Sequence, residues 1–75
     1  MKLAVIRGVA RVKEYMRAAE SVDGLRTEYD MARAYIAGCH DADGMDTEEW
    51  TRESDEIKTL FLNLLDSHAK RYYGL

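Results

Sequence analysis

Along the first quarter of the chain the apolar residues Val5, Val9, Val12, Met16 and Ala19 return at intervals of four and three. At about 100° per residue that spacing gathers them into one stripe, with Arg7, Arg11 and Ala18 opposite. The pattern predicts a helix from Leu3 to Ala19. KLAVIRG and VARV are rich in β-branched residues, so two short strands parted by Gly8 are the competing reading of residues 2–12. Helix is preferred, because strict alternation is missing and the helical spacing lasts four turns.

ESVDGL breaks this stripe, and Ser21 or Asp23 is placed to cap a second helix by accepting from the free amides of its first turn. In that helix Val22, Leu25, Tyr29, Ala32, Ile36 and Cys39 keep the same rhythm, while Met31, Ala34 and Tyr35 fall elsewhere on the cylinder. Gly38 is a natural place for the left-handed residue that ends it. The run HDADGMDTEEW at 40–50 follows, and within it Asp46 and Glu49 have the spacing of a reciprocal helix-start cap.

A third helix is predicted from Thr47 to Tyr73, with Ser54 offering a kink and restart and Gly74 a stop. Its main stripe is Trp50, Ile57, Phe61, Leu64, Leu65, His68 and Tyr72, widened by Leu60, Leu62, Ala69 and Tyr73. A helix apolar on more than one side is covered on more than one side. The expected fold is therefore all-α over a single domain, residues 1–75: a three-helix bundle or a helical hairpin with a long C-terminal helix, completed by a second copy. No solenoid repeat, low-complexity tract or flexible linker interrupts it.

Size sharpens the expectation of a second copy. A chain of 75 residues hides only about 60% of the surface its unfolded form exposes, so small domains lean on disulfides, metals or partner chains. One cysteine, Cys39, excludes an internal disulfide and suits a reducing cytoplasm. Basic residues interrupt the apolar N-terminal run too often for a signal peptide or membrane span, so a cytoplasmic protein with no membrane partner is expected.

Charge is unevenly distributed beneath a net −3. Residues 1–20 carry five basic and two acidic side chains, residues 41–56 one basic and eight acidic, and residues 57–75 three basic and one acidic.

The acidic run invites comparison with a calcium loop. Setting Gly44 at loop position six puts Asp41 and Asp43 at three and five, but leaves Cys39 at position one and Trp50 at twelve, where ligands are required. A capped acidic turn is the preferred reading. Zinc would need more than adjacent Cys39 and His40 with a distant His68. His68 could act as a base or pH switch, but no nucleophile is paired with it. The preferred reading is a core-edge imidazole bonded to a carbonyl or a tyrosine hydroxyl. No phosphate loop is present, and the paired carboxylates fall on a solvated face. The expectation is a non-enzyme without metal or cofactor.

Two interaction readings remain. Arg7 and Arg11 share a helix face and Lys13 and Arg17 form another four-residue pair, so the first helix could follow a phosphate backbone, or its cations could pair with acids of another helix. The acidic segment opposes nucleic acid unless it lies on the far side, and could itself face a basic protein groove. The preferred function is a small non-catalytic protein-interaction module, an adaptor, inhibitor or regulator of the bacterial or phage accessory kind, binding another protein and forming a homodimer. The alternative is a nucleic-acid-binding or nucleoid-associated regulator using the basic first helix. Met31, Tyr35, Leu62 and Tyr73 are the expected apolar contacts, and Arg7, Arg11 and Arg17 the electrostatic ones. Two short runs, SVDGLRTEYD and LLDSHAKR, resemble small helical nucleoid-associated regulators of the Hha type, and that resemblance implies binding to another protein.

Overall fold

A computed structural model describes residues 1–74. Its helices are α1 (Leu3–Ala18), α2 (Val22–Asp41) and α3 (Thr47–Tyr73), and the described residues contain no strand. The strand reading of residues 2–12 is thereby overturned. The β-branched residues of α1 belong to the inward stripe: Val9 and Met16 are buried, and Val5, Val12 and Ala19 pack against them. Tertiary packing of that stripe outweighs a modest intrinsic β preference.

Capping follows the side-chain chemistry. Ser21 Oγ accepts from the Gly24 amide at 3.0 Å, which makes Ser21 the cap and leaves Asp23 in the first turn, where the helix dipole favours an acid. Asp46 Oδ1 accepts from the Glu49 amide at 2.7 Å and Glu49 Oε1 accepts from the Asp46 amide at 3.0 Å, closing the reciprocal cap of α3. The helix then runs unbroken through Ser54 to a left-handed Gly74, φ 69°.

The end of α2 differs from expectation. Gly38 lies inside the helix, and the left-handed residue is Asp43, φ 60°. Gly44 is needed for a different reason. A Cβ there would sit 3.2 Å from both the Cys39 carbonyl oxygen and Val5 Cγ2, so the turn passes close under α1 and closes with the Gly44 amide donating to Cys39 O at 2.7 Å. A short polar residue tolerates the left-handed position that glycine leaves open. Behind the turn, Met45 is buried and pins it to the core. Gly38 is exposed with nothing near its missing Cβ. Gly38→Ala should therefore stabilise the protein by about 0.5–1 kcal/mol, read as a raised urea midpoint at unchanged slope.

The central helix is α2. It packs along both neighbours, whereas α1 and α3 touch each other only sparsely, so the three-helix bundle is open on its α1–α3 side. Leu25, Ala32 and Ile36 of α2 meet Val9 and Met16 of α1 and Ile57 of α3 in one core. Tyr29 stacks on Phe61 with ring centroids 4.3 Å apart, and His40 on Trp50 at 4.5 Å. On the other side, the Tyr35 hydroxyl occupies the space where a Cβ on Gly8 would project, so glycine lets α1 and α2 approach.

The molecule measures 44 × 17 × 16 Å. At 1.5 Å per residue the 27 residues of α3 span about 40 Å and the 20 of α2 about 30 Å, so roughly two turns of α3 overhang the start of α2. This overhang corrects the expected stripes at one end: Val22 and Tyr72 share the apolar rhythm yet are exposed, because α2 begins too late to cover Tyr72.

Candidate interaction surfaces

Since each helix turns one stripe inward, its remaining faces decide what the molecule can touch. On α1, Leu3, Ile6 and Ala10 are three and four residues apart and adjoin, with Ile6 and Ala10 bordering the α1–α3 side near Lys13 and Glu53, and Leu3 and Ile6 keep 59% and 47% of their surface exposed. Arg7 and Arg11 both lie on the Leu3 side of this stripe, Arg11 farthest round towards Tyr35. Among the described residues neither has a carboxylate within ion-pair distance. Arg17, also exposed, pairs with Glu14 of its own helix.

Lys13 faces inward, towards α3. Its ammonium donates to Glu53 Oε1 at 3.0 Å and Glu56 Oε2 at 2.6 Å, so this cation pairs with the acidic segment of another helix. Glu53 is buried, a feature missing from the expected stripes, although the spacing carries the signal: Glu53 is three residues after Trp50 and four before Ile57. An acid in an apolar stripe needs a cation opposite, and Lys13, four residues after Val9, is placed to supply it.

The remaining expected contacts are scattered. Met31 is exposed on α2 and Leu62 on α3, about 140° around the helix from the core residue Ile57. Tyr73 is exposed on the overhang. Tyr35 is half-buried in the α1–α2 seam, where burial and the Cys39 side chain push its phenol up from the ordinary value while the nearby Arg11 charge pulls the other way. Thus Arg11 and Tyr35 are brought together, but the seven expected residues are spread over three helices and form no single patch.

At the opposite end from the overhang lies the acidic turn. Its carboxylates are partly engaged in structure: hydrogen bonding from the Asp46 amide, and then from the Met1 α-amino group at 2.6 Å, holds the Glu49 carboxyl below its usual range. The contacts of Met1 with Glu49, and of Val5 with the Gly44 turn, put the start of α1 directly beside this acid. The chain matches no known protein family, no curated protein and no solved structure. The likeness of the two short runs to Hha-type regulators accordingly transfers no residue roles.

Other chemistry has little geometry behind it. Among the described residues no three His, Cys, Asp or Glu side chains are grouped to hold a metal ion, and no helix is long and apolar enough to cross a membrane. Cys39 is half-buried against the core. His68 is half-buried beneath the overhang and makes no hydrogen bond among the described residues, so the expected tie to a carbonyl or tyrosine is absent. His40 does have partners, the Trp50 ring and Thr47 Oγ1 at 3.2 Å, and serves to join the end of α2 to the start of α3.

Proposed function

We propose that the protein is a small non-catalytic interaction module that receives a helix of another protein on the outer face of α1. The observation that carries this reading is the exposed arc of α1 that runs from apolar Ile6 through Leu3 to Arg7 and Arg11, cations with no ion-pair partner among the described residues, on a helix whose inner stripe is already in the core. A helix apolar on two sides has room for a second neighbour. The partner of matching chemistry is an amphipathic helix whose apolar stripe is edged by Asp and Glu, docking as a fourth helix with the acids opposite the two arginines.

Nucleic acid is the weaker reading. Leu3 and Ile6 offer nothing to a phosphate backbone, and the 41–56 segment, with eight acids against one base, has its turn beside the start of the same helix. That field repels phosphate from the cations that would bind it.

Affinity capture from the native host tests the proposal, run in parallel with the wild type, Arg7→Glu/Arg11→Glu and Leu3→Ser/Ile6→Ser. The expected result is a protein retained by the wild type and lost from both variants, in which a synthetic peptide of an acidic amphipathic helix binds the wild type alone. Identical capture by all three sinks the α1 assignment. Retention of duplex DNA that weakens steeply between about 50 and 200 mM salt and disappears with the arginine variant transfers the face to nucleic acid.

A further inference from the structure

The overhang of α3 forms one wall of a cleft whose other wall is the α1–α2 connection. Val22, Leu65 and Ala69 lend it an apolar lining. Above it stand Tyr72 and Tyr73, 83% and 70% exposed, their rings set edge to face with centroids 5.0 Å apart. Arg71 lies on the α3 side and Glu20 and Asp23 on the other. Among the described residues none of these three charges has an ion-pair partner, whereas Lys70, on the same turn, is held by Asp66 at 3.1 Å.

We infer that this end of the molecule is a self-association site, where two copies meet tail to tail about a two-fold axis. The Tyr72–Tyr73 pair of each enters the cleft of the other. A two-fold contact requires one surface to carry both halves of the complementarity. This one does. It offers a projecting aromatic pair and an apolar recess to receive it, an unpaired cation and two unpaired anions, and the symmetry makes every cross-pair twice. Joining two α1 faces instead would set Arg7 and Arg11 against their own copies. Tyrosines bury on the order of 150–250 Å² each, so four of them supply roughly 600–1,000 Å² before the cleft lining is added. That reaches the about 1,000 Å² of a specific contact without approaching an obligate interface, so a concentration-dependent dimer is expected. The site is separate from the outer face of α1, and either assignment can fail without the other.

Sedimentation velocity of the full chain, from micromolar to near-millimolar concentration, reads the association directly. The wild type is expected to pass from one to two chain masses, and Tyr72→Ala/Tyr73→Ala to raise the midpoint concentration at least about tenfold while far-UV circular dichroism stays unchanged. Arg71→Glu alone and Glu20→Lys/Asp23→Lys alone are each expected to stay monomeric, because like charges then meet at both symmetric contacts. An equimolar mixture of the two restores the dimer, since both contacts again pair opposite charges. Arg7→Glu/Arg11→Glu dimerises as the wild type does. A wild type that remains monomeric throughout, a dimer indifferent to the tyrosine pair, or a mixture that fails to associate overturns the inference.

Discussion

Lys13→Met is expected to lower stability by about 3 kcal/mol, while Glu53→Leu costs less than about 1 kcal/mol or even stabilises. The asymmetry follows from where the two charges sit. Glu53 keeps 7% of its side-chain surface, so removing Lys13 leaves a carboxylate in the core with only Arg52, 3.7 Å away and largely solvated, to turn to. Stripping one partner from a buried pair costs roughly 3–5 kcal/mol, and the low end applies because Lys13 itself is partly solvated. Removing Glu53 instead leaves Lys13 its contact with Glu56 and fills an apolar stripe with an apolar side chain. Lys13→Met/Glu53→Leu should therefore recover most of the loss, a coupling that urea unfolding followed by circular dichroism measures directly. For a chain this size, whose whole stability is on the order of 4–11 kcal/mol, the single variant should be visibly frayed.

The same bridge sets a pH signature. Burial opposes the Lys13 charge, but hydrogen bonds and charges from Glu56 and Glu53 outweigh it and raise its pKa. That contribution is complete below the unfolded lysine value and is lost as pH climbs through the higher folded one. The Lys13 hydrogen bond lowers Glu56 against the opposing effect of burial, so its contribution is present above the unfolded glutamate value and fades as pH falls through the lower folded one. Between the two edges the bridge is flat with pH, and Lys13→Met should blunt both.

Periodicity alone located all three helices because each has one inward stripe with the three-and-four rhythm, and the start of α3 because Asp46 and Glu49 are local to the turn they close. What escaped was decided between helices. Gly8 reads as a strand break in one dimension, but in the fold it is the seat of Tyr35, a contact that depends on where α2 crosses α1. Gly44 reads as a turn former, and its job is clearance beneath Val5. Glu53 looks like one more member of an acidic run until the Lys13 side chain arrives from α1.

Surface assignments suffered from the same limit. A helical wheel tells which residues leave the core but not what covers them: Tyr35 lies off the main stripe and is half-buried because a glycine faces it, while Tyr72 lies on the stripe and is exposed because α2 starts two turns short of it. The separation between Arg7 and Arg11, unpaired among the described residues, and Lys13 and Arg17, both used within the chain, follows from side-chain reach to Glu53, Glu56 and Glu14. The dipolar charge pattern was legible. That the acid turn sits beside the start of the basic helix required the fold.

Along α3, Ile57→Ala should cost far more than Leu62→Ala although the two are only five residues apart. Ile57 is fully buried in the core shared by all three helices, so truncation removes its transfer energy and leaves a cavity that the close-packed core cannot refill by small shifts. A cost of about 3–4 kcal/mol is expected, at least roughly a third of the stability available to a domain of this length. Leu62 is 52% exposed on the opposite side, and alanine is the better helix former, so its truncation should change stability by less than about 0.5 kcal/mol. The contrast depends on α3 continuing as one helix through Ser54, because a break there would turn both positions together relative to the core. Equal costs for the two variants in urea titrations would mean that the register of α3 beyond Ser54 is wrong, and the overhang built on that register, with its exposed Tyr72 and Tyr73, would go with it.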